Sequence, residues 1–137
     1  MGTSARTTLA RPDLAAHKRA TQAAFNEIVA ELVAILGKKL TAYIGRVKDV
    51  RVVDRWIRGD VEQPYRNAEP RIRLAYRIAK TLSEHDSARV VQAWFTGLNP
   101  VLQDRSPIRL LREMTDENID EIGLELLNAM RAFVAGG

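Results

Sequence analysis

A chain of 137 residues with 46% hydrophobic and 28% charged residues suits one compact domain, or two small ones sharing an interface, and not a disordered polymer. It holds no cysteine, which excludes a disulfide scaffold, a thiolate nucleophile and any Cys-based zinc or iron–sulfur site. No apolar run approaches the roughly 18–20 residues of a transmembrane helix. Residues 1–11 carry Ser, Thr and Arg without the apolar stretch of a secretory signal, so a cytoplasmic protein that meets no membrane is expected.

The net charge is +4, unevenly placed. Residues 1–80 carry 16 Lys/Arg against 8 Asp/Glu, a net of +8, and residues 81–137 carry 5 against 9, a net of −4. Such a split suits a front half facing nucleic acid and an acidic back half facing another partner. Chance fluctuation of charge along the chain is the alternative.

In chain order, residues 1–12 read as a flexible leader. One long helix is expected from Pro12-Asp13-Leu14, with Asp13 as N-cap, to Gly37; its stripe is Phe25, Ile28, Val29, Leu32, Ile35 and Leu36. A short helix over residues 40–44 follows, then a turn over 45–49 and a helix over 50–58 that stops at Gly59. Pro64 and Pro70 bracket an irregular linker containing Tyr65 and Asn67. A second helical set begins at Arg71, with Ile72, Ala75, Ile78, Ala79 and Leu82 on one face. The next helix carries Ala88, Val91, Ala93, Trp94 and Phe95 and ends at Gly97. Asn99-Pro100 marks a turn, and Ser106-Pro107 opens a helix with Ile108, Leu110 and Leu111, Ser serving as N-cap. A last helix over residues 116–134 aligns Ile119, Ile122, Leu126, Met130 and Phe133. Strand patterns are nearly absent, and aromatics are only 6% of the chain. The expectation is an all-α protein of six or seven helices, its core built mostly of Leu, Ile, Val and Ala.

Residues 38–58 concentrate seven bases against two acids, Asp49 and Asp54. A short apolar helix, a Gly-containing turn and a helix with Val52, Val53, Trp56 and Ile57 on its buried side are the parts of a helix-turn-helix. Asp49 is placed to cap the second helix. Lys48, Arg51, Asp54, Arg55 and Arg58 fall on its outer face. Arg51 and Arg55, four apart, share one side and suit base edges, whereas Lys38, Lys39 and Arg46 suit phosphates. The same residues also fit an ordinary basic, solvated helix.

The stretch LTAYIGRVKDVRVVDRWIRG (residues 40–59) resembles the Xre/Cro-like helix-turn-helix in the variant ending in Trp and Gly, and EPRIRLAYRIAKTL (residues 69–82) follows as in Xre/MbcA/ParS-like antitoxins. VVQAWFTGLNPVLQDRSPIRLLRE (residues 90–113) is similar to that family's toxin-binding domain: Trp94, Asn99, Pro100, Leu102, Pro107, Leu110 and Leu111 fall on its pattern. The resemblance covers residues 25–134. It implies a helix-turn-helix DNA-binding domain over residues 13–68, reading double-stranded DNA at the chain's own operator. It also implies a small helical toxin-binding domain over residues 69–137 that covers the active site of a RES-domain toxin consuming NAD⁺. By that resemblance the toxin-binding residues are Leu127, Met130, Arg131, Phe133, Val134, Gly136 and Gly137. The ending Phe-Val-Ala-Gly-Gly is shorter and less basic than the family's tails. The acidic residues Asp116, Glu117, Asp120, Glu121 and Glu125 suit either a basic toxin rim or solvent. Trp94 reads as core in preference to contact.

No catalytic signature is visible. The two histidines, His17 and His85, lie apart in sequence among charged neighbours, and no phosphate loop, Ser-centred elbow or HExxH pair occurs. The expectation is therefore a non-enzymatic protein without metal or cofactor, acting as a homodimer or a toxin–antitoxin hetero-oligomer. A stand-alone helix-turn-helix transcriptional regulator, of phage or prophage origin and without a toxin, is the alternative.

Overall fold

The computed structural model describes residues 14–17, 19, 24–60 and 68–136. Among these the chain is all-helical, without a β-strand. The helices are α1 (Phe25–Leu36), α2 (Lys38–Gly45), α3 (Val50–Arg58), α4 (Ala68–Ser83), α5 (Ala88–Thr96), a 3-10 turn (Pro100–Leu102), α6 (Pro107–Glu113) and α7 (Ile119–Gly136). Residues 14–17 are helical as well. No described helix is long and apolar enough to cross a membrane.

The long first helix expected over residues 13–36 is not one helix. Ala24 is extended at φ −63 and ψ 146, and its carbonyl receives the N–H groups of Glu27 and Ile28 as α1 starts. The apolar stripe itself begins only at Phe25, the first residue of α1. Arg19 reaches across to Glu31, whose other oxygen accepts the Tyr76 hydroxyl at 2.8 Å. Burial of Glu31 pushes its carboxyl up, but the Arg19 and Tyr76 hydrogen bonds outweigh this and hold it below the usual range. Asp13, the expected cap, and the leader 1–12 lie outside the described residues, as do Pro64, Tyr65 and Asn67.

Gly37 ends α1 and opens α2 at φ 89, a conformation that side chains resist. Its carbonyl accepts both the backbone N–H and the hydroxyl of Thr41. The turn expected at Gly45 starts one residue later. Gly45 is still helical, and Arg46 takes the left-handed conformation at φ 60. Gly45 is small for a different reason: a Cβ built there would lie 2.8 Å from Cη2 of Trp56. Pro70 lies inside the first turn of α4 and not in a linker; there an N–H has no intrahelical acceptor to lose. Ser106 precedes α6 in extended conformation, yet its side chain makes no capping bond. The last helix begins at Ile119, three residues later than expected, after Asn118 accepts the Thr115 N–H.

α4 is the central element. It packs on α1, α2, α5, α6 and α7, and buries Ile72, Ala75, Tyr76, Ile78, Ala79 and Leu82. One hydrophobic cluster joins Leu32 of α1, Trp56 of α3, Ile72 of α4, Phe95 of α5, Leu111 of α6 and Leu126 of α7. The regions expected as two functional domains therefore share a core, and the expected boundary at residue 68 coincides with the start of α4.

Gly45→Ala tests the close approach of α2 and α3. Forcing a methyl against the Trp56 ring is expected to destabilise the fold by about 1–3 kcal/mol, read as a lower urea midpoint at unchanged slope.

Candidate nucleic-acid interface and partner face

α2 and α3 are joined by the turn 46–49, and the joint is closed by aromatic packing. Trp56 is buried against Gly45, and its ring meets Phe25 of α1 edge-on at 5.6 Å. Val53 is buried beside it, while Val52 and Ile57 are half-buried against the same core. With this side of α3 held inward, Arg51, Arg55 and Arg58 are exposed. Asp49 caps α3, its carboxylate accepting the Arg51 N–H at 2.9 Å. Gly59, at φ 74, closes the other end.

The charged residues expected at DNA divide into groups. Lys38, at the start of α2, reaches Asp54 on α3 at 2.8 Å and ties the two helices together. Arg51 pairs with Asp49 at 2.7 Å, and Arg58 with Asp60 at 2.8 Å. Lys39, Lys48 and Arg55 are exposed and form no ion pair with the described residues. Arg46, also expected at phosphates, is exposed and holds a second set of contacts. Its guanidinium donates to the carbonyls of Arg112 and Met114 at the end of α6, the latter at 2.8 Å.

That contact belongs to a clasp between the turn and the C-terminal half. Arg112 donates to the Tyr43 carbonyl at 2.8 Å and lies 4.6 Å over the Tyr43 ring. Arg71, on α4, donates to the Ile44 carbonyl at 2.8 Å from a buried position. The carbonyls at the end of α2 carry the negative end of its dipole, so arginines satisfy both their hydrogen bonds and their charge. Burial, reinforced by the neighbouring positive charges of Arg46 and Arg112, pushes the Arg71 guanidinium down to about 10. Sequence reasoning missed Arg71 and Arg112. Arg71 carried a signal, since it lies on the stripe of Ala75, Ile78 and Leu82, where a charge needs a partner.

In the C-terminal half, the turn at Asn99 is closed from within. The Asn99 side chain accepts the Val101 N–H at 2.9 Å, its backbone pairs with Arg105, and Leu102 is buried. Arg105 binds the Leu102 carbonyl and Glu125 of α7, fixing the loop to the last helix. Of the residues expected to meet a toxin, Met130 is buried in the core, whereas Leu127, Phe133 and Val134 are half-buried against it. Arg131 and Gly136 are exposed, and Gly137 lies outside the described residues. Trp94 is 8% exposed, with Phe95 edge-on at 5.2 Å, so it is a core residue as expected. Beside it lies a groove of about 340 Å³ between α5, the Asn99 turn and α7, with Phe133 on its wall. At this groove Leu98 is 74% and Val101 56% exposed. These two apolar side chains were not among the residues expected at a partner face.

No family model, curated protein or solved structure matches this chain.

Arg112→Met removes one carbonyl partner and the contact with the Tyr43 ring while keeping much of the side-chain volume. A loss of about 1–3 kcal/mol in unfolding free energy is expected by urea titration.

Proposed function

We propose that this chain is a DNA-binding antitoxin that works by association and not by catalysis. Its α2–α3 unit reads the operator of its own operon in double-stranded DNA. Its C-terminal half binds and neutralises a RES-domain toxin that consumes NAD⁺, in the cytoplasm. The observation that carries the DNA reading is the packing of Trp56 over Gly45, which turns the apolar side of α3 inward and leaves Arg51, Arg55 and Arg58 on the outside. An outward basic helix after a four-residue turn suits the major groove, with cations near its start supplying contacts to bases and phosphates. The toxin half of the reading rests on the resemblance over residues 90–113. The exposed Leu98 and Val101 beside the α7 groove support it, since apolar side chains clustered at a groove favour a protein partner.

Binding to duplex DNA from upstream of the gene is expected to fall by about three orders of magnitude between roughly 50 and 200 mM salt, as for a protein touching about six phosphates. Arg55→Ala should cost about 1–3 kcal/mol of discrimination at one base pair, read by titrating duplexes changed one pair at a time. Salt-insensitive or absent binding removes the DNA reading.

The toxin half is tested in cells expressing the neighbouring gene's product, with cellular NAD⁺ as readout. The wild-type chain should restore NAD⁺, and Leu98→Asp combined with Val101→Asp should not, while DNA binding persists. Exposed positions are the right ones to change, because truncation after Glu125 would remove the buried Leu126, Ala129 and Met130 and open the shared core. If the neighbour never depletes NAD⁺, the toxin half falls and DNA binding alone describes the protein.

A further inference from the structure

One carboxylate at the start of α3 performs two tasks. Oδ1 of Asp49 accepts the backbone N–H of Arg51 at 2.9 Å, the capping bond of the helix. Its Oδ2 accepts from Nε of the same arginine at 2.9 Å and lies 2.7 Å from Nη2. The cap and the side chain two residues on are thus locked by a single group. The Arg51 side chain nevertheless remains 81% exposed.

A guanidinium is a planar fork of five N–H donors. Nε–H and one Nη2–H form its side edge, and the other Nη2–H with one Nη1–H forms its end edge. Asp49 occupies the side edge and leaves the end edge unobstructed. Two parallel donors are what the O6 and N7 atoms of guanine accept in the major groove, and Arg51 lies in the first turn of α3. An arginine without such a brace would surrender its rotamer freedom on docking; the pair with Asp49 favours one rotamer before DNA arrives. Asp49 also carries a negative charge to the surface where phosphates approach. A register in which Arg51 finds no guanine therefore keeps the repulsion of Asp49 without a compensating base contact. Arg55 provides the contrast, being exposed on the same helix with no ion-pair partner among the described residues.

We propose that Asp49 is a positioning residue for base selection: it braces Arg51 so that the end of the guanidinium is presented to a guanine. This rests on the DNA-reading function proposed above, and the experiment separates the two. The full-length chain selects a preferred duplex from a random-sequence pool. Wild type, Arg51→Ala, Asp49→Asn and Asp49→Ser are then titrated against that duplex, against versions changed one base pair at a time, and against unselected random duplex. Asn and Ser both keep a capping oxygen, so thermal unfolding should be nearly unchanged in at least one of them. Wild type should favour one G·C pair by about tenfold or more, and Arg51→Ala and Asp49→Asn should both lose that preference at the same pair. Asp49→Asn should bind unselected duplex as tightly as wild type or more tightly, because a negative charge has left the interface. Because that charge change acts on every duplex alike, a merely capping Asp49 would leave the guanine preference in place. Retention of the guanine preference in both folded Asp49 variants overturns the proposal, leaving Asp49 as a helix cap only. Loss of no base preference in Arg51→Ala overturns it too, placing Arg51 on phosphate. Wild type that binds no duplex at low salt overturns this inference and the DNA reading together, whereas selective binding indifferent to Asp49 overturns this inference alone.

Discussion

Trp56 can close on the end of α2 only because residue 45 has no side chain. A Cβ there would stand 2.8 Å from the indole, inside any distance carbon atoms tolerate. From this one approach the orientation of α3 follows. The indole packs between Gly45 and Phe25, and this contact sets the roll of the helix that carries it. Rolling is what would hide Arg51 and Arg55, which stand on the opposite side of the same helix. An apolar contact in the interior thus determines which charges meet solvent. The Lys38–Asp54 pair adds a polar strut on the outer side of the same joint.

The second constraint is the set of carbonyls at the end of α2. Helix ends leave acceptors that must be met, and a turn as short as 46–49 supplies few donors of its own. The chain answers with arginines brought from a distance: Arg71 from α4 and Arg112 from α6, with Arg46 returning the contact to the end of α6. Because these bonds link residues far apart in sequence, the α2–α3 joint and the C-terminal helices cannot separate without breaking them. The shared hydrophobic core has the same consequence. A partner bound near the α7 groove therefore sits on the same packed body as α3 and not on an independent module.

Much of this was legible in the residues. The Phe25 to Leu36 stripe, the helix over 50–58 with its Asp49 cap and Gly59 stop, and the inward Leu102 turn all follow from local periodicity and capping chemistry. What escaped local rules was set by tertiary contacts. Gly45 reads as a turn former, since nothing in the sequence says that an indole will lie on it. Pro70 reads as a breaker, although the first turn of a helix accepts proline as readily as a linker does. Arg46 reads as one more cation in a basic run; its carbonyl partners lie more than sixty residues away. Leu98 and Val101 were invisible as a surface pair because exposure of an apolar residue is decided by what fails to cover it.

Counting charge along the chain also overstates the field that a nucleic acid would meet. Residues 1–80 carry a net of +8, yet Arg46 and Arg71 belong to that half and point their guanidinium groups at backbone carbonyls. Both offset helix-end dipoles, and the buried Arg71 is poorly placed to release counterions from DNA. Lys38, Arg51 and Arg58 are held by aspartates, which lowers the potential they project while fixing where they stand. Lys39, Lys48 and Arg55 form no ion pair among the described residues. A surface built this way trades long-range attraction for geometry. Aspartates interleaved with bases weaken indiscriminate adhesion to phosphate, and a cation already held in one orientation favours the sequence that fits it. On a face that reads DNA, such acids would contribute to selectivity as much as the arginines.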